Sequence, residues 1–152
     1  MRVVLQRVRR ASVRVDGVVV GAIDRGLLAL VGVGQDSAEA DAAWLAAKTA
    51  AMRLFPAPKG DAGKMEASVA DIGGAVLAIS QFTLYADVRR GRRPSFVAAA
   101  PPGRAEALYE AYCDGLDVGV ARGRFGAPMQ IDLEADGPVT ITMERCDGMS
   151  IT

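Results

Sequence analysis

Val3, Leu5, Val13 and Val15 sit at period-two spacing, the signature of strands that bury one face. Asp16-Gly17 supplies a hairpin turn before VVVGAI, and Asp24-Arg25-Gly26 turns into a third segment, LLALVGV. That segment is apolar on both faces, which predicts a central strand rather than an edge. After Gln35 the period changes: Asp36 is the expected helix cap with Glu39 three residues on, and Trp44, Ala47, Ala51 and Leu54 fall on one face. A helix to about Arg53 follows from that spacing. FPAPKGDAGK is too rich in Pro and Gly to continue it and reads as a surface loop, after which Gly73-Gly74 introduces a strand from Ala75 to Leu84. ADVRRGRRPSF has no periodicity, whereas Ala105 to Tyr112 returns to helical spacing with Leu108 and Tyr112 on one side and Gly115 as its end. MQIDLE and VTITME alternate around Ala135-Asp136-Gly137-Pro138, a composition expected for a turn between two strands. The sum is a single mixed α/β domain with a predominantly antiparallel sheet and two main helices.

Composition narrows the chemistry. At 152 residues, about half of them apolar, the chain fits one domain with a sizeable core. Lys+Arg and Asp+Glu balance at 18 each, so contact with a nucleic acid must come from a local patch rather than from a global field. Cys113 and Cys146 are far apart and match neither a disulfide framework nor paired zinc ligands, which fits a reducing compartment. The N-terminal MRVVLQRVRRASVRV lacks an unbroken apolar stretch, so a soluble cytoplasmic protein is expected, with no membrane partner. The chain has no histidine, which removes the residue on which most neutral-pH acid/base catalysis, hydrolase triads and catalytic zinc sites depend. No metal or other cofactor is expected. A hydrolase built from this sequence must activate water through another side chain, backbone dipoles or the substrate itself.

Three places could carry chemistry. Ser80-Gln81-Phe82-Thr83-Leu84 puts two hydroxyls and an amide at the end of an apolar strand. These groups either bond to neighbouring backbone or floor a pocket whose N–H groups face a developing oxyanion, and spacing does not decide between the two. Gly137-Pro138 is either an ordinary hairpin turn or a rigid backbone wedge that approaches a ligand closely. Arg89, Arg90, Arg92 and Arg93 follow the polar strand end and could hold phosphates, while Arg2, Arg7, Arg9 and Arg10 form a second group near the N-terminus. For each of these arginines solvated surface charge is the ordinary alternative. Glu66 and Asp71 read as exposed loop charges.

Taken together, LQRV with ASV and the DG hairpin, GLLALVGV, GKM, SQFTL, GRRPSF, RAEALY, GRFGAPM and DGPVT resemble, in that order, the D-aminoacyl-tRNA deacylases, from Met1 to about Met143. The resemblance implies a homodimer with a barrel-like sheet, acting on the aminoacylated 3′ end of tRNA. Each pocket would combine Ser80, Gln81, Phe82 and Thr83 of one subunit with Gly137 and Pro138 of the other. The Gly–Pro bond is implied to be cis, its carbonyls capturing the α-amino group, so that a D side chain fits and an L one clashes. Arg7 would brace that turn, and the arginines from Arg89 to Arg93 would meet tRNA phosphates. Ester hydrolysis is implied to use the ribose 2′-hydroxyl and backbone N–H groups near Phe82, with Thr83 positioning rather than attacking. A pocket that excludes L side chains cannot exclude glycine, so cleavage of mischarged glycine is expected as well. The domain is placed over residues 1–145 with a tail over 146–152, and Ala135 stands where the family usually has Asn. Ser80-Gln81 points to the D-specific branch rather than to a related branch that edits small L-amino acids. A non-catalytic nucleic-acid-binding dimer is the reading from a different class.

Overall fold

The computed structural model describes residues 1–61, 63–146 and 148–150. Strands β1 (Arg2–Val15), β2 (Val18–Ile23) and β3 (Gly26–Gly32) lead into helix α1 (Glu39–Ala51). Then come β4 (Ala75–Ser80), a 3₁₀ turn (Phe82–Tyr85), helix α2 (Pro102–Asp114), β5 (Gly119–Arg122), β6 (Gln130–Cys146) and β7 (Met149–Ser150). The sheet runs β5-β4-β3-β1-β6-β7, with β2 also paired to β1. β1 is antiparallel to β2, β3 and β6, and β6 to β7, while β3–β4 and β4–β5 are parallel. A mixed, mainly antiparallel sheet with two helices is what the periodicities predict. The sheet curls into a half-barrel: a Cβ on Gly21 of β2 would lie 2.7 Å from the Arg122 carbonyl oxygen of β5, so two strands not paired in the sheet touch without room for a side chain.

The double-faced apolar segment is β3, flanked by β4 and β1 as expected for a central strand. Its alternation feeds two cores. Leu27, Ala29 and Val31 join Val3, Leu5, Leu45, Tyr109 and Tyr112 beneath the helices, whereas Leu28 joins Val8, Val13, Leu77 and Ile79 inside the curl. β4 divides in the same way, with Val76 and Ala78 on the helix side and Leu77 and Ile79 on the other. Where the helix-side core holds polar atoms they are paired: the buried Thr49 hydroxyl donates to the Leu45 carbonyl and lies 3.0 Å from the Tyr112 hydroxyl, and the Tyr109 hydroxyl donates to the Ala78 carbonyl.

Four local expectations are corrected. The cap of α1 is Ala38, not Asp36, and the first turn is satisfied from Asp41, whose carboxylate accepts the Ala38 N–H at 3.0 Å. The inward face of α1 is Ala42, Leu45, Ala46 and Thr49, not the line through Trp44 and Ala47, and the helix stops at Ala51. Trp44 instead sits at the margin under the guanidinium of Arg145, 4.5 Å from its ring centre. The strand expected to reach Leu84 ends at Ser80, because the chain tightens there into the 3₁₀ turn. The two strands expected around Gly137-Pro138 are one: both halves of β6 pair with β1, and the intervening residues bulge. Alternation either side of a turn-like composition cannot tell a hairpin from a bulged strand, since both interrupt the period for a few residues.

β5 was not expected, being four residues with a glycine start. Residue 62 of the surface loop and residues 147, 151 and 152 of the tail lie outside the described residues; within the tail, β7 pairs with Arg145 and Cys146. Glu66 and Asp71 are exposed as expected, and the Asp71 carboxylate, which accepts the Ser68 N–H and hydroxyl, is held below the ordinary range by those bonds.

Two outcomes follow. Leu45→Ala should cost about 2–5 kcal/mol in denaturant unfolding and Ala47→Ser on the exposed side within about 0.5 kcal/mol, reversing the order the expected face implies. Burial pushes the Cys113 thiol up to about 11 from 9.0 and raises the Tyr109 and Tyr112 hydroxyls. The fold holds these protons more tightly than the unfolded chain, so the Cys113 contribution is complete below about pH 9 and is lost as pH rises toward about 11, and that of the tyrosines declines from about pH 10 upward. A stability maximum on the alkaline side of that window, in unfolding curves at successive pH, would contradict this.

Candidate active site

β3 and β4 are parallel, and their carboxyl ends open onto a cleft of about 710 Å³. Ligands in sheets with parallel strands characteristically sit beyond those ends, where the chain leaves the strands and side chains from several loops converge. It is lined by Val31 and Ile79 of the two strands, by Ser80 at the end of β4 with Gln81 and Phe82 after it, and by Phe96, Tyr109, Phe125 and Met129 among others. The polar corner thus lies in the cleft, except that Thr83 is outside the lining and touches it through Gln81, whose amide Nε2 donates to the Thr83 hydroxyl.

The corner is a product of local sequence. β4 delivers Ser80, half-buried, and Gln81 donates its N–H to the Val31 carbonyl at 2.8 Å, the last tie to β3 before the chain turns. Leu84 then donates to the Gln81 carbonyl at 3.2 Å and Ala86 to that of Thr83 at 3.1 Å. As at the start of any helix, the N–H groups ahead of the first bonded donor, here of Phe82 and Thr83, have no carbonyl to reach within the turn. Phe82 stands 57% exposed and meets Phe96 edge to face, with ring centres 5.1 Å apart. An apolar cleft with aromatic walls and a polar corner binds by shape and orientation.

Gly137 and Pro138 are not among the cleft residues. They belong to the bulge of β6, where two steps along β1 (Gln6 to Val8) face five along β6 (Thr140 to Ala135). The Gly137–Pro138 peptide is cis, with Gly137 at φ +125°, and both residues are exposed. Arg7 lies beneath: its Nε donates to the Asp136 carbonyl at 3.0 Å and lies 3.3 Å from the Asp136 carboxylate, while Nη1 donates to the Leu54 carbonyl at 2.6 Å. A Cβ on Gly137 would sit 3.2 Å from Arg7 Nη2 and 3.0 Å from Val139. Arg7, with a side chain only 11% exposed, thus ties the residue before Gly137 to Leu54 just beyond the end of α1.

The two arginine groups differ. Arg2, Arg9 and Arg10 are each paired with a carboxylate of β6, from Glu144, Glu134 or Asp136. Arg89 is clamped by Asp87, whose carboxyl its hydrogen bonds hold well below the ordinary range. Arg90, Arg92 and Arg93 are exposed, and among the described residues no carboxylate lies within ion-pair distance of them. The sequence reading missed the aromatic and methionine walls, although GRFGAPM, an aperiodic run mixing Gly and Pro with Phe and Met, carried the signal.

What this geometry defines is a small α/β protein with one aromatic-walled cleft at the ends of its parallel strands and a separate, braced backbone wedge. A family model described as D-Tyr-tRNA(Tyr) deacylase matches residues 4–144. The chain is 55% identical to a D-aminoacyl-tRNA deacylase of Rhodopirellula baltica, covering 95% of this chain and 99% of that one. It is 54% identical to that of Anaeromyxobacter dehalogenans, over 95% and 97% of the two chains. Among solved structures, a c-Myc DNA Unwinding Element Binding Protein superposes with a TM-score of 0.87 at 35% identity, over 95% of this chain and 99% of that one. A probable eukaryotic D-amino acid tRNA deacylase gives 0.77 at 19% identity, over 93% and 97%, and shares the fold. The chain belongs to the D-Tyr-tRNA(Tyr) deacylase family and is an enzyme of the deacylase class.

Arg7→Ala would strip two carbonyls and a carboxylate of their donor. Calorimetry or denaturant unfolding should show a loss of about 1–3 kcal/mol, and a loss below about 0.5 kcal/mol would mean water replaces the guanidinium.

Proposed function

We propose that the enzyme removes D-amino acids from tRNA as a homodimer, each site pairing the Ser80–Thr83 corner of one copy with the Gly137–Pro138 wedge of another. The observation that carries the reading is spatial: the corner lines the cleft, the wedge does not, and both are open to a second copy. The wedge carbonyls take the α-ammonium group, so an L side chain meets backbone while a D side chain points into the open cleft. Rejection of this kind needs no specific contact with the D side chain, which suits a pocket that accepts several D-amino acids. Glycine has no side chain to clash and is cleaved too.

At the reacting ester, N–H groups at Phe82 and Thr83 receive the developing oxyanion and the substrate's 2′-hydroxyl assists the attacking water. Thr83 holds Gln81 in place rather than attacking, since the described residues place no base beside its hydroxyl. Orientation and oxyanion stabilisation supply the rate, in keeping with a chain that has no histidine. Arg90, Arg92 and Arg93 meet acceptor phosphates. Likeness to a 35%-identical protein named for binding a DNA unwinding element favours a second reading, a nucleic-acid-binding dimer without turnover.

Four measurements decide. D-tyrosyl-tRNA should be hydrolysed and L-tyrosyl-tRNA spared; loss of neither favours the binding reading, and equal loss removes the chiral one. Glycyl-tRNA should be cleaved while L-alanyl-tRNA survives. Mixing an inactive Ser80→Ala/Gln81→Ala protein with an inactive Gly137→Val protein should restore about a quarter of wild-type activity, because in a twofold dimer half the dimers are mixed and each holds one intact site. Sites contained in one chain would restore none. Arg92→Ala should raise KM and lower the salt slope of tRNA binding by about one, with kcat unchanged.

A further inference from the structure

The 3₁₀ turn that presents the Gln81–Phe82 wall is held from behind, on the side away from the cleft, by a residue of β1. Arg2 donates from Nη1 to the Leu84 carbonyl at 2.8 Å, one of the carbonyls that the end of a turn leaves without a partner. Its guanidinium lies over the Tyr85 ring, 4.5 Å from the centre, and its Nε lies 2.9 Å from the Glu144 carboxylate of β6. One planar group thus grips a carbonyl, a ring and an acid at once, which a point charge cannot do. The surface below is cut to match. A Cβ on Gly34 would fall 2.5 Å from the Tyr85 ring, and one on Gly32 would fall 3.0 Å from Leu84 Cβ and 3.1 Å from the Gln81 carbonyl oxygen. The turn is therefore seated on bare backbone and pinned from one end.

We propose that Arg2 is a positioning residue of the deacylation site: by fixing Leu84 and Tyr85 it sets the direction of the Phe82 and Thr83 N–H groups at the other end of the turn. Arg2 is not among the cleft residues and acts through the turn. The proposal rests on the reading of the Ser80–Thr83 corner as the reacting face. With the pin removed, the turn can rock on its seat, and displacement of reacting groups by about an ångström costs on the order of a hundredfold in rate while leaving substrate binding in place.

The test is the kinetics of Arg2→Met, which keeps an apolar stem over Tyr85 and removes the donors, beside Arg2→Ala and Arg2→Lys, on D-tyrosyl-tRNA. The expected result is a kcat lower by about tenfold to a hundredfold for Arg2→Met with KM within about twofold, and less than about a fifth of wild-type kcat recovered by Arg2→Lys. Faster hydrogen exchange at the Leu84 and Ala86 amides, with the α1 and α2 amides unchanged, should accompany the loss. A folded Arg2→Met protein with wild-type kcat overturns the proposal, as does a raised KM at unchanged kcat, which would make Arg2 a tRNA contact, or full rescue by lysine, which would reduce its role to charge. Ser80→Ala and Gln81→Ala run in parallel separate the two levels. If they retain full activity the corner reading falls; if they lose it while Arg2→Met does not, only the role of Arg2 falls.

Discussion

The backbone pairing of β1 on both of its edges is the interaction on which the rest depends. Its first half is bonded to β3 on one side and β6 on the other, and its second half to β2 and β6. A strand satisfied on both edges has no freedom to shift register without unpairing several partners at once. Both cores hang from it, through Val3 and Leu5 on the helix side and Val8 and Val13 in the curl. The same strand sends Arg7 under the Gly–Pro bulge and Arg2 behind the 3₁₀ turn. The 3₁₀ turn and the Gly–Pro bulge are far apart in sequence, yet each is bonded by a cation from one ribbon.

How much of this was legible beforehand depended on whether one period or a competition set the outcome. LLALVGV read as a central strand because burial on both faces leaves no polar positions, and Leu28 and Ala29 indeed enter different cores. The helical spacing of Leu108 and Tyr112 likewise gave α2. In α1 the alanine-rich composition offered several equivalent stripes, and Trp44, the largest apolar residue, drew the expected face toward itself although its amphipathic ring is at home at a margin under Arg145. The end of β4 was overrun because Phe82 and Leu84 flank polar Thr83 with the period of a half-buried strand, and only tertiary contact with Gly32 and Gly34 shows why the chain tightens there. The Gly–Pro segment was legible as special but not as a bulge, since pairing with β1 on both sides is a long-range fact.

The proposed site would let a deacylase dispense with a titrating centre. Its walls are apolar or aromatic, its polar groups are hydroxyl, amide and backbone, and no charged side chain is among its described lining residues; elsewhere Arg7 holds carbonyls at the Gly–Pro bulge and Arg89 holds Asp87. An activated ester asks for little chemical assistance compared with an amide, and a fixed array of dipoles needs no reorganisation when charge develops. On the mechanism proposed above, rigidity of the supporting backbone takes the part that an imidazole takes elsewhere.

The ion pairs along β1 and β6 have one more consequence. Arg9, Arg10 and Arg14 are matched on the same ribbon by Glu134, Asp136 and Asp132, and the whole chain is neutral by formal count, whereas Arg90, Arg92 and Arg93 crowd one loop beside the cleft. Beyond a Debye length of about 8–10 Å a polyanion feels almost no net pull from such a molecule. If the loop is the phosphate contact proposed above, what the polyanion feels at closer range is a torque, which turns the loop to face it before the two surfaces meet. On that reading recognition begins with alignment rather than attraction.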